Sequence, residues 1–428
     1  MFPDWYRDKI RPLSLLFYNI FLLLYKLGIR IAARWNNKAA LWLRGRNDIY
    51  KNLQSATAGE KTIWMHCASL GEFEQGRPVI EKIKYQIPES TIILTFFSPS
   101  GFEVRKNYPG ASQISYLPMD SGKNAKKFLD TIRPSLVIFV KYDYWYYYLN
   151  ECRKRKIPLL MISAVFRKDQ PFFKWYGSLH RKMLNCFTHF FVQDEVSKKL
   201  LFTLKLTNVT LAGDTRFDRV AEIAEKNEPV PLVEKFCGSS QVLVAGSTWT
   251  ADEKIIETAV KDMNRLKVII APHEIHREHL EQIKLLLPDS VFYSQLAIHD
   301  PQLANHRFLI IDNIGMLSRL YYYATVTYVG GGFDKGIHNT LEAAVYGKPV
   351  IFGPRYKKFR EAHELIAKKA GFVIHNSDEL KNGLINLLSN TDNCYSAAVS
   401  GAGKYSKENK GATEKIIRYI QENRLLTS

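Results

Sequence analysis

The chain is poor in cysteine: Cys67, Cys152, Cys186, Cys237 and Cys394 are the only five in 428 residues, scattered and without a C-x-x-C pair. An odd, dispersed set argues against a disulfide framework or a zinc site, and fits buried thiols in a protein facing a reducing compartment. G-x-G-x-x-G is absent, which counts against a dehydrogenase; G-x-x-x-x-G-K-[ST] is absent too, which counts against a P-loop ATPase. No H-E-x-x-H, D-x-D pair or His/Cys cluster stands out, so no metal is expected and a metal-bridged diphosphate is disfavoured. Repeats and low-complexity tracts are lacking. Acidic residues are scarce: 42 Asp and Glu stand against 60 Lys and Arg, a net charge of +18. Such a balance favours an anionic partner, such as a phospholipid surface or a phosphorylated substrate. Nucleic acid is not expected, because no nucleic-acid motif is visible. Hydrophobic residues make up 46%, enough for proper cores, and the length suggests two domains.

Residues 12–25 read PLSLLFYNIFLLLY, without a charge. The run is too short to span a bilayer alone, which takes roughly 20 residues. Arg7, Lys9 and Arg11 flank one side; Arg30, Arg34 and Lys38 flank the other. A signal peptide has one basic flank and a small-residue cleavage site. A helix lying in the membrane interface fits better, with Trp5, Tyr6, Tyr18 and Tyr25 as its amphipathic rings. A buried core helix is the competing reading.

From Lys61 onward, short β-rich runs alternate with amphipathic stretches, the pattern of parallel βαβ units. Candidate strands are 63–66, 91–97, 136–140, 159–163 and 190–193. A second set covers 242–245, 268–271, 291–293, 308–311, 325–329, 350–352 and 372–374. The reading is an α/β chain of two Rossmann-like, doubly wound domains facing a cleft. Residues 1–45 form a membrane-associated helical segment, 46–218 the first domain, 219–240 a linker and 241–404 the second domain. A last helix within 405–428 is expected to pack back on the first domain.

Four loops carry candidate chemistry. After the first strand, His66-Cys67-Ala68-Ser69-Leu70-Gly71-Glu72 turns into a helix. Glu72 then sits at a helix start, where the dipole favours an anion and a lone carboxylate can act as a general base on a hydroxyl. At the end of the first domain, Arg216 in Gly213-Asp214-Thr215-Arg216-Phe217-Asp218 suits a carboxylate or phosphate, or a salt bridge. Gly246-Ser247-Thr248-Trp249 offers backbone N–H groups to a phosphate, or an ordinary N-cap. The richest loop is Gly330-Gly331-Gly332-Phe333, followed by Gly336-Ile337-His338-Asn339-Thr340-Leu341-Glu342. Its glycines permit close backbone approach to a ligand, a helix beginning near Asn339 suits a phosphate, and Glu342 can take ribose hydroxyls. Pro272-His273-Glu274 and Asp312–Leu317 are supporting segments.

Together these motifs resemble the Kdo transferase family, whose members move 3-deoxy-D-manno-octulosonic acid (Kdo) from CMP-Kdo to a lipid A precursor. The resemblance runs from about Leu13 to Lys415. It rests on H-x-x-S-x-G-E and on G-G-x(5)-H-N-x-L-E-A-A-x-x-G-x-P-V, which are specific in combination. It implies a GT-B fold and a membrane-associated N-terminus at the cytoplasmic face of the inner membrane. The chemistry it implies is an inverting, metal-independent transfer in lipopolysaccharide synthesis. By the same resemblance Glu72 matches the catalytic base. Arg216, where the family usually has Lys, stabilises the departing charge or holds the Kdo carboxylate. Pro272, His273, Gly315, Met316, Leu317, Asn339, Thr340, Leu341 and Glu342 match the segments that hold CMP.

Three departures stand out. The usual Arg of P-R-H is missing beside His273, and Met316 replaces a Glu. The usual E-T-E-L-W-P-N reads Lys141-Tyr142-Asp143-Tyr144-Trp145-Tyr146-Tyr147, so only Asp143 and Trp145 keep its pattern and Lys141 replaces an acid. Two other classes stay open: a GT-B enzyme using a UDP-sugar (lipid glycosyltransferase or epimerase), and a non-catalytic basic membrane-binding protein.

Overall fold

The computed structural model describes residues 4–47, 49–54, 61–226, 228–296 and 303–426, with backbone alone at 4–12, 51, 52 and 54. The rings of Trp5 and Tyr6 and the charges of Arg7, Lys9 and Arg11 therefore lie outside the described residues. Contacts divide the chain into two compact units, Met1–Asp218 with Gly411–Ser428, and Arg219–Lys410.

The first unit is built on seven parallel strands: β1 Thr62–Cys67, β2 Thr91–Phe96, β3 Gln113–Tyr116, β4 Leu136–Val140, β5 Leu159–Ala164, β6 His189–Val192 and β7 Val209–Leu211. Their order is β3-β2-β1-β4-β5-β6-β7, and β1 pairs with both β2 and β4. Strand order reverses at β1/β4, which leaves a crevice at the carboxyl ends of those two strands. β1 is buried along its whole length, as a strand covered on both faces must be. On one face Trp64 packs edge-on against Phe128, Phe139 and Tyr148, with ring centres 5.0–5.5 Å away.

The second unit repeats the plan with β8 Val242–Thr248, β9 Lys267–Pro272, β10 Ser290–Phe292, β11 Phe308–Ile310, β12 Val326–Val329, β13 Val350–Phe352 and β14 Gly371–Val373. The order is β10-β11-β9-β8-β12-β13-β14, again all parallel, with the reversal at β8/β12.

Two readings are refined. The 219–240 stretch, read as a linker, carries helical structure: helix Arg216–Lys226 runs into it and helix Pro231–Cys237 lies within it, burying Val233 and Phe236. The last helix is two, Cys394–Asn409 and Ala412–Glu422, broken where Gly411 takes a φ of +96°. The Asp218 carboxylate accepts the Gly411 and Thr413 N–H groups, each at 2.6 Å, and so caps the second helix from across the unit. That helix then buries Ile416, Ile417 and Ile420 against Val79 and Ile83.

The N-terminal helix runs Asp4–Ala32. Leu22 is buried, and Leu15, Tyr18 and Tyr25 turn toward the first unit. The Tyr18 hydroxyl donates to Asp120 at 2.6 Å, and Asp120 also accepts the N–H groups of Tyr147 and Tyr148. The opposite face is apolar and exposed at Leu13, Leu16, Phe17, Ile20, Phe21, Leu23, Leu24, Leu27 and Ile31. From Leu13 to Ala32 the helix is long and apolar enough to cross a membrane. Because that apolar face is exposed, the helix is not a buried core helix.

Candidate active site

In the first unit the candidate residues come from the carboxyl ends of β1 and β4 and from the turn after β7. Past β1 the chain runs through Ser69, extended at φ −146°, into helix Leu70–Gln86. Glu72 stands in the first turn, half-buried, and accepts a hydrogen bond from the Ser69 hydroxyl that fixes its orientation.

His66, fully buried at the end of β1, spans the strand-order reversal. Its Nε2 lies 2.8 Å from Asp143 Oδ2 and its Nδ1 2.9 Å from the Thr95 hydroxyl. A carboxylate only accepts, so Nε2 carries the proton toward Asp143. The Trp145 indole N–H donates to the same Asp143 oxygen at 3.2 Å. Asp143 is thus committed to positioning the loop after β4.

Lys141 leaves β4 with a left-handed φ of +67°, its N–H tied to Ile162 O at 3.0 Å. Its charge acts on Asp214. Burial raises the Asp214 carboxyl, but Arg216, with a smaller contribution from Lys141, more than offsets this and holds it below its ordinary range. Arg216 places Nε and Nη2 on Asp214 Oδ2 at 2.9 and 2.7 Å, and Gln75 donates to both Asp214 oxygens. Lys141 and Asp143, neighbours in sequence, therefore serve different partners. Burial raises the Tyr142 hydroxyl, and the charges of Arg167, Glu72, Asp194 and Arg216 also act on it, which sets Glu72 and Arg216 in shared surroundings.

In the second unit the triple glycine has a packing reason. A Cβ on Gly330 would lie 2.3 Å from Ser247 O, and one on Gly332 2.6 Å from Gly353; Gly331 has φ +89°. These glycines admit the protein's own backbone at close range. The helix expected near Asn339 is a single turn, Leu341–Ala344. Glu342 lies in that turn, and the Asn339 amide donates to it at 2.9 Å. Asn339 Oδ1 accepts the Leu341 N–H, so this helix start is partly satisfied by its own side chain. Thr340, Leu341 and Met316 are buried. Gly315 is left-handed at φ +95° with open space around it, and Leu317 begins a short helix packed on Gly246.

Pro272 ends β9, and the His273 N–H bonds to Thr248 O at 2.9 Å. This brings the first and second loops of the unit together. The His273 ring stacks on His338, centres 4.3 Å apart, and lies tilted against Trp249 at 4.8 Å; the Trp249 indole donates to His338 Nε2 at 3.0 Å. Burial, with His273 alongside, pushes the His338 imidazole down to about 4. Burial also lowers His273, with Lys335 adding to the shift and Glu274 opposing it. Lys335 holds its Nζ 5.1 Å from the Trp249 ring centre. Beneath the stack, buried Asp252 accepts Tyr328 OH and the N–H groups of Gly331 and Trp249. A groove of about 640 Å³, lined by Ile275, Leu280, Leu285, Phe292 and Asp312, opens beyond the ends of β9 and β10.

Trp249 and His338 stand in candidate loops of the sequence without a role of their own there, and Lys335 is absent from the sequence-derived site. A lysine beside Gly336, three residues before the H-N pair, was the available signal. Among the described residues, no group of three or more His, Cys, Asp and Glu is placed to hold a metal ion.

Residues 42–219 match the family model described as 3-deoxy-D-manno-octulosonic-acid transferase (kdotransferase). A bifunctional glycosyltransferase/methyltransferase of Fusobacterium nucleatum is 27% identical over 86% of this chain, and the chain spans 56% of that protein's length. The 3-deoxy-D-manno-octulosonic acid transferase of Aquifex aeolicus is 29% identical over 76% of this chain and 86% of its own. Among solved structures, MurG of Acinetobacter baumannii shares the fold at a TM-score of 0.55 and 12% identity, over 85% of this chain and 99% of its own. Both units thus have the GT-B plan, and the chain is similar to the 3-deoxy-D-manno-octulosonic-acid transferases, whose family model its residues 42–219 match.

Proposed function

We propose that this enzyme transfers Kdo from CMP-Kdo to a phosphorylated lipid A precursor, with inversion and without a metal ion. The observation that carries this reading is Glu72, a carboxylate oriented by Ser69 in the first helical turn after β1. Glu72 takes the proton of an acceptor hydroxyl, and the freed oxygen attacks the anomeric carbon of Kdo. The bond to CMP breaks with its electron pair left on the phosphate oxygen. That developing charge needs fixed positive partners. Lys335 is proposed to supply one, from beside Trp249 and His273, in place of the arginine missing from P-R-H. Arg216 keeps Asp214 and Gln75 in register, and Asp143 positions the β4 loop through His66.

The exposed apolar face of the N-terminal helix supports association with the cytoplasmic face of the inner membrane, where a lipid acceptor resides. Anionic lipid and an anionic donor both suit the +18 charge. Competition among donors tests the reading. CMP-Kdo should be consumed with a lipid acceptor in the presence of chelator, and UDP-sugars left intact. Turnover of UDP-sugars alone would replace it with a UDP-dependent GT-B activity.

A further inference from the structure

A second outward-facing aromatic element stands beside the N-terminal helix. Helix Ser178–Leu184 packs against that helix, and the turn leading into it carries Trp175 and Tyr176, 78% and 51% exposed. Their rings meet edge to face at 5.6 Å.

This turn is built to hold them out. The Arg181 guanidinium donates to the carbonyls of Phe172 and Lys174 at 3.0 and 2.7 Å. Gly177 lies so close to Pro171 that a Cβ would sit 1.8 Å from its carbonyl oxygen. Phe172, 3% exposed, is wedged between Tyr144 and Phe166 and anchors the turn in the core. A fixed turn that exposes a tryptophan forgoes the burial such a ring would otherwise gain. Residues 167–182 also carry Arg167, Lys168, Lys174, Arg181 and Lys182 against one acid, Asp169. Amphipathic rings beside several cations match the headgroup layer of an anionic membrane.

We propose that residues 167–182 are a second membrane contact: Trp175 and Tyr176 enter the headgroup region of an anionic phospholipid surface, and Lys168, Lys174 and Lys182 pair with its phosphates. This rests on the reading of the N-terminal helix as membrane-bound. Two contacts on one unit would fix its orientation on the surface, which a single helix leaves free to rotate.

The test uses the full chain with vesicles of phosphatidylethanolamine and phosphatidylglycerol containing brominated acyl chains. The difference between wild type and Trp175→Phe isolates the Trp175 emission. Quenching of that signal is expected, with partitioning of Trp175→Ser/Tyr176→Ser about tenfold weaker than wild type. The urea-unfolding midpoint of that variant should match the wild type's, which certifies its fold. Lys168→Glu/Lys174→Glu should lose affinity for anionic vesicles only. Wild-type binding with unquenched Trp175 and an unaffected double variant would overturn the proposal while leaving the helix reading intact. No vesicle binding by the wild type would overturn both.

Discussion

His66 Nε2 and Asp143 Oδ2 lie 2.8 Å apart, joining the end of β1 to the loop after β4 at the point where strand order reverses. Asp143→Ala leaves a buried imidazole N–H without its acceptor, a cost of about 1–3 kcal/mol. Urea unfolding should show that loss. Turnover should fall further than donor affinity, because the loop belongs to the first unit. Asn at the same position keeps an acceptor and should restore most of the stability.

Lys335 should matter to phosphate and not to base. Lys335→Met is expected to weaken CMP binding about tenfold, the scale of one charge-assisted hydrogen bond. Cytidine binding should not change. Titration calorimetry with both ligands separates the two; equal loss for both would make Lys335 a structural residue of its loop.

Asp218 closes the first unit by capping helix Ala412–Glu422 from outside it. Asp218→Ala should cost about 1 kcal/mol of stability, with Asn in between. Faster amide exchange confined to 411–422 would accompany it. A normal exchange pattern in the Ala variant would argue against the cap.

The His338 imidazole, pushed down to about 4 by burial and by His273, binds its proton less readily folded than unfolded, where about 6.5 is usual. Between those values the unfolded chain holds more protons, so stability is full above about pH 6.5 and is lost as pH falls toward 4. Asp252 and Glu253, raised by burial, push the other way. The informative quantity is therefore the difference between wild type and His338→Gln. Wild-type Tm should fall more steeply across that window than the variant's. Parallel curves would remove His338 as the cause.

Much of this was legible in the sequence, and the failures have physical causes. Apolar runs such as 136–140 and 242–245 announce central strands buried on both faces. Gln113–Tyr116 and Val209–Leu211 escaped because edge strands are short and need no continuous apolar run. The break at Gly411 depends on Asp218, nearly two hundred residues earlier, which no local pattern reveals. Glycines 330–332 were conspicuous, but their reason, contact with Ser247 and Gly353, is tertiary. For the same reason the Trp249–His273–His338 stack, assembled from three separate loops, could not be read along the chain.

The most direct measurement is a mass-spectrometric transfer assay. It uses purified protein, CMP-Kdo generated in situ, a phosphorylated lipid A precursor and chelator, with wild type and Glu72→Gln side by side. The expected result is a wild-type product heavier by one or more Kdo units, and no product from Glu72→Gln although it still binds CMP. Equal product from both proteins, or none from wild type while a UDP-sugar is turned over, would contradict the assignment of Glu72 as base and of CMP-Kdo as donor.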